Sequence, residues 1–135
     1  MIHSKKVIAV SRILVTALPE VKRTGNNTVN IAPGAEWENL HIEVPATLTI
    51  SSKIEKHCLL HNAKLVFRNC SPYYEDSVFV YMVTLANGDK MLIGDNDRPY
   101  ATAETKFISS SSSSNSELLE VSISYSSSKE IATVR

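Results

Sequence analysis

Four residues in one stretch, His57, Cys58, His61 and Cys70, form the chain's best set of transition-metal donors. Zinc asks for four such ligands converging at about 2.0–2.3 Å, normally from a tight turn or a helix. On a strand, positions 57 and 61 stand about 13 Å apart and cannot share an ion. No metal is assigned. The expectation is a pair of buried thiols and two surface or cross-strand histidines.

Asp95, Asn96 and Asp97 offer oxygen donors, but the spacing lacks the glycine and the distal glutamate of a calcium loop. Asp and Asn also bond their own backbone in turns, and that is the reading adopted here. Glu36, Glu38 and Glu43 near Trp37 resemble paired carboxylates at a sugar site. The first two fit better on the solvent side of a segment entering a long strand, with Trp37 packed inward. A hydrolase would have to draw on His41, His57 or His61. There is no Gly-x-Ser-x-Gly and no phosphate-binding glycine loop. No catalytic residue and no cofactor is assigned.

These groups need elements to hold them, and the chain has material for one domain. It has 135 residues, 43% of them hydrophobic, below the roughly 250 at which chains usually divide. Residues 1–135 are read as a single β domain. A disordered chain would show low hydrophobicity with high net charge. No apolar run approaches the about 20 residues of a membrane-spanning helix. Fourteen basic residues balance fourteen acidic ones, whereas a nucleic-acid binder normally carries a basic excess. Two cysteines make no disulfide framework. The N-terminal MIHSKKVIAVSRILVTALP mimics a secretion signal, but Arg12 interrupts its apolar run, so a first strand in a cytoplasmic protein is expected.

Period two dominates. Leu40, Ile42, Val44, Ala46, Leu48 and Ile50 alternate with His41, Glu43, Pro45, Thr47 and Thr49, which puts the apolar groups on one face of a pleated strand. Pro45 cannot donate to a ladder, so the strand lies at an edge or bends there. Leu119, Val121, Ile123 and Tyr125 alternate in the same way. Val78–Ala86 and Lys90–Ile93 flank Asn87-Gly88, which predicts a hairpin with a type I′ turn. Val78–Val83 is apolar on both faces and predicts a central strand. Residues 7–18 predict a strand bent near Ser11-Arg12, and residues 59–67 fit helix and strand, with strand favoured. Twelve of the twenty residues from Ser109 to Ser128 are serine, so 109–116 is expected to be a flexible loop before the last strand. The predicted fold is all-β: a single antiparallel sandwich or barrel.

The zero net charge conceals a split. Residues 1–68 carry nine Lys/Arg against five Asp/Glu, a net of +4, and residues 69–135 carry five against nine, a net of −4. Opposed charge of this kind suits head-to-tail contact between copies, which generates rings or filaments. The candidate interface residues are Lys5, Lys6, Arg12, Lys22 and Arg23 on the basic side, with Asp95, Asp97 and Glu104 on the acidic side. Tyr73, Tyr74 and Tyr100, each close to a proline, are candidate anchors.

In order along the chain, VIAVSRILVTALP, APGAEWENLHIEVPATLTI, YMVTLANGDKMLIG followed by DNDRPYA, and LLEVSISYSSS resemble small β-rich structural proteins of tailed bacteriophages and prophages of gut bacteria. The resemblance implies a virion component near the neck or tail, assembled in the host cytoplasm as a ring with other virion proteins. The resemblance supplies no functional residues; the residue types, the balanced charge and the lack of a long apolar run lead to the expectation of no enzyme activity, no specific nucleic-acid contact and no membrane. The alternative reading is a monomeric β-sandwich module that binds a glycan or peptide, with Trp37 and the tyrosines lining a groove.

Overall fold

The long alternation at 40–50 becomes the backbone of the fold in the computed structural model, which describes residues 2–25, 27–69, 78–95, 100–108 and 118–134. Eleven strands follow in chain order. They are β1 (Ile2–Leu14), β2 (Val21–Arg23), β3 (Thr28–Ile31), β4 (Glu38–Asn39), β5 (Ile42–Glu55), β6 (Cys58–Asn69), β7 (Phe79–Leu85), β8 (Lys90–Ile93), β9 (Thr102–Ile108), β10 (Leu118–Ser127) and β11 (Ala132–Val134). One 3-10 turn, Val15–Ala17, ends β1, and no α-helix occurs among the described residues. The chain is all-β.

The strands make one sheet in the order β2-β3-β11-β8-β7-β1-β5-β6-β10-β9, with β4 paired to β1 beside β5. The path is open at β2 and β9, so the sheet is not a barrel. All pairs are antiparallel but one: β11 enters between β3 and β8, antiparallel to β8 and parallel to β3. That exception arises because the last strand fills a slot whose two walls, β3 and β8, run in opposite directions, so it can be antiparallel to only one of them.

Ile42, Ala46, Leu48 and Ile50 of β5 pack inward as the alternation requires. Leu48 meets Leu65 of β6 in register, and both are fully buried. They join Val7, Val83, Ile93, Val121 and Ile123 in the main core. Truncating any one of the large members costs about 2–5 kcal/mol. Met91 on β8 and Val121 on β10 share this core although four strands separate them. The sheet therefore bends over its own inner face. The opposite face of β7 and β8 carries a second core, in which Val80 and Leu92 pack with Ile13, Leu18, Val29 and Ala132, flanked by Trp37 and Met82. Within the run at 78–83, Phe79, Tyr81 and Val83 face the main core and Val80 and Met82 the second, and Trp37 packs inward as expected.

Three local expectations are refined. β5 is an interior strand, held between β1 and β6, and Pro45 falls within a bulge between Glu43↔Arg68 and Thr47↔Val66. Three residues there oppose one, so two extra residues enter and the parity of the alternation survives. β1 has its register irregularity against β7 at Ile8, between Val7 and Ala9, and pairs regularly through Ser11 and Arg12. The β7–β8 hairpin forms, but Gly88 (φ 94°) alone takes positive φ. Gly88 N donates to Leu85 O and Leu85 N to Asp89 O, the pattern of a type I turn closed by a glycine bulge. The serine run at 109–116 lies outside the described residues.

Candidate assembly surface

β5 and β6 outrun their neighbours. β1 follows β5 as far as Ser51, and β10 follows β6 as far as His61. Residues 53–60 consequently pair, among the described residues, only with one another, and with Ser52 and His61 paired at the base they project as a two-stranded arm. A two-residue connection closes it: Glu55 faces Cys58, and Lys56 (φ 51°) and His57 (φ 67°) both sit at positive φ. This is the I′ geometry that matches strand twist and is normally given to Asn-Gly.

The arm carries one apolar pair. Ile54 and Leu59 oppose each other in register and are 77% and 51% exposed. They continue the inward stripe of Leu48, Ile50, Ala63 and Leu65 beyond the point where a core covers it. Between core and tip, Ser52 Oγ and His61 Nδ1 are hydrogen bonded at 2.9 Å. The outer face is polar, with Lys53 and Glu55 paired at 3.3 Å. Cys58 is an exposed free thiol, which corrects the expectation of buried thiols, and Cys70 lies outside the described residues. Chemically the arm offers apolar area with a charged rim, the composition of a docking surface.

The residues singled out from the sequence are dispersed. Lys5 and Lys6 are exposed on β1, and Lys5 lines a cleft of about 310 Å³ with His3 and Asp89 over Leu85 and Met91. Lys22 is exposed on β2. Arg23 beside it is half-buried and donates from Nη2 to the Glu130 carbonyl at 3.2 Å. Arg12 is 7% exposed, the only one of the five cations that is buried. Its Nε donates to Glu38 Oε1 at 2.5 Å, and its guanidinium carbon lies 4.1 Å above the Phe79 ring. Arg12 thus works inside the fold.

Asp95 and Tyr100 are half-buried, while Glu104 is exposed on β9. Tyr73, Tyr74 and Asp97 lie outside the described residues. The fold does bring Arg23 and Asp95 together, in a crevice with Tyr125. Burial pushes the Tyr125 hydroxyl above its ordinary pKa, Asp95 adds to the rise, and a hydrogen bond with Ser127 and the charge of Arg23 oppose it. Glu104 stands at the other end of the pairing path from Lys22 and Arg23.

A second cleft, of about 280 Å³, opens at the β5 bulge between Glu43, Arg68 and Glu120. Arg68 Nη1 is 3.8 Å from Glu43 Oε1. No group of three or more His, Cys, Asp or Glu among the described residues is placed to hold a metal ion. Among the described residues, no helix is long and apolar enough to cross a membrane. The sequence reading missed Ile54 and Leu59. The available signal was the even register of β5 running on to Ile54, past the last residue that a core required. No family model, curated protein or solved structure matches the chain.

Proposed function

We propose that the chain is a non-enzymatic structural subunit of a tailed-phage particle, of neck or tail type, assembling into rings through contacts between copies. The observation that carries the reading is the 53–60 arm with its exposed Ile54–Leu59 pair. Seated on a neighbouring subunit, each side chain contributes about 1.5–3 kcal/mol of apolar burial. Lys53, Glu55 and Lys56 around them set orientation and make docking salt-sensitive. An arm that leaves one subunit and lands elsewhere on the next is a heterologous contact, which closes into a ring when the rotation permits. The four stretches that resemble phage structural proteins support the particle assignment. The glycan or peptide reading loses its main groove aromatic, because Trp37 packs against the second core.

Light scattering tests the proposal. The wild-type chain is expected to give a mass several times 14.9 kDa, with rings in electron micrographs. Ile54→Asp/Leu59→Asp is expected to abolish the rings and leave no species larger than a dimer, with only a small drop in melting temperature from the facing aspartates, since both positions are exposed. A wild-type chain that stays monomeric at millimolar concentration overturns the reading.

A further inference from the structure

The second feature of the surface is the outer edge of β9. β9 pairs with β10 on one side and closes the sheet, with no strand on its other side among the described residues. It is seven residues long, free of proline and glycine, and exposed at Thr102, Glu104 and Thr105. Ala103 packs against the main core and fixes which face is inward. An edge of this length is a template for another strand unless something discourages pairing.

We propose that β9 pairs antiparallel with β9 of a second copy, about a two-fold axis through Thr105, so that one sheet runs through both subunits. The register follows from two independent arguments. Groups that point outward from an edge alternate along the strand, and antiparallel ladders join outward residue to outward residue. Identical strands can therefore pair only about a residue, never between two. A centre at Thr105, the midpoint of Thr102–Ile108, overlaps all seven residues. Any other centre overlaps fewer.

Charge selects the same register. Centred on Thr105, Glu104 stands opposite Lys106 of the partner copy, twice by symmetry. Centred on Glu104, two glutamates meet, and centred on Lys106, two lysines meet; like charges directly opposite destabilise a ladder. The sequence Glu-Thr-Lys thus discourages slipped registers while matching the full-length one. This contact is isologous and differs in kind from the arm contact, with which it shares only the premise that copies meet. Together they would join two rings, or two subunits, back to back.

The test uses the full chain with Cys58→Ser and Cys70→Ser to remove native thiols. Thr105→Cys is expected to oxidise to a disulfide-linked dimer, because residues paired on a two-fold axis have Cα atoms about 4.5–5.5 Å apart. Thr102→Cys, placed opposite Ile108, is expected to give none. Without the cysteines, Glu104→Lys or Lys106→Glu alone is expected to weaken dimerisation about 10-fold. The double swap is expected to restore it. Equal linking of Thr105→Cys and Thr102→Cys, or a double swap no tighter than the single ones, overturns the proposal. Repeating the crosslink in Ile54→Asp/Leu59→Asp separates the two contacts. A dimer that persists there shows that β9 acts without the arm. Wild-type rings with no Thr105 link leave the arm reading standing and sink this one.

Discussion

Arg12 is buried while the carboxylate it meets, that of Glu38, is solvated: their side chains are 8% and 59% exposed across a 2.5 Å contact. The two residues are in register between β1 and β4, and Phe79 lies under the guanidinium. Removing the exposed partner takes the counter-charge from a buried cation, so Glu38→Ala is expected to cost about 2 kcal/mol. Arg12→Met keeps the apolar stem against Phe79 and removes the charge, and is expected to cost less. Chemical denaturation of both variants checks the order. If Arg12 instead served between subunits, Arg12→Met would lower oligomer mass at constant stability.

Lys56 and His57 hold left-handed backbone that L side chains adopt at a cost of about 1–2 kcal/mol each. Replacing the pair by Asn-Gly relieves that cost, although glycine also gives the unfolded chain more freedom. A net stabilisation of about 1 kcal/mol is expected in urea melts. Oligomer mass is expected to stay unchanged, because Ile54 and Leu59 keep their register.

Gly94, with φ of 113°, lies where an added Cβ would come within 3.4 Å of Val80 Cγ2 in the second core. Gly88, with φ of 94°, has open space around it. Both substitutions force positive φ on an L side chain, and the methyl at 94 meets Val80 at ordinary van der Waals distance. Gly94→Ala and Gly88→Ala are therefore each expected to cost about 1–2 kcal/mol in urea melts. A loss at 94 well above that at 88 would mean that Val80 does not accept the methyl.

Tyr125 governs part of the alkaline limb of stability. Its folded pKa is raised above the ordinary value of 10.0 by burial. Below that value both folded and unfolded chains hold the proton, and stability is independent of this group. Above it the unfolded chain ionises first, so stability falls as pH rises toward the folded pKa. Tyr125→Phe is expected to lose the Ser127 hydrogen bond, at about 1 kcal/mol near neutral pH. It is also expected to flatten the decline above pH 10. Urea unfolding at a series of pH values from 8 to 11 gives both quantities. A decline as steep in the variant as in wild type would assign it to other groups.

Local chemistry made much of this fold legible. The alternations at 40–50 and 119–125 became β5 and β10, and the doubly apolar run at 78–83 became β7, a strand packed on both faces. Other elements gave no such signal. β2, β3, β9 and β11 are short or mixed in polarity, and they are strands because a neighbour supplies their hydrogen bonds. The β5–β6 turn uses Lys56-His57, residues without turn chemistry of their own, because two long matched strands impose the connection. The arm pair was half legible: Ile54 stood in the apolar register, but its exposure depends on where β1 and β10 stop.

By itself the sequence determined an all-β domain, its main inward stripes and a break in the ladder at Pro45. Side-chain period and the donor that proline lacks act within a few residues, so no distant partner is needed to read them. The order of the strands, the parallel seat of β11, the burial of Arg12 and the two exposed features, arm and edge, were decided only by tertiary structure. Each depends on which of several compatible strands lies alongside another. Backbone hydrogen bonds are the same for every sequence, and the choice among neighbours comes from packing both faces of the sheet at once.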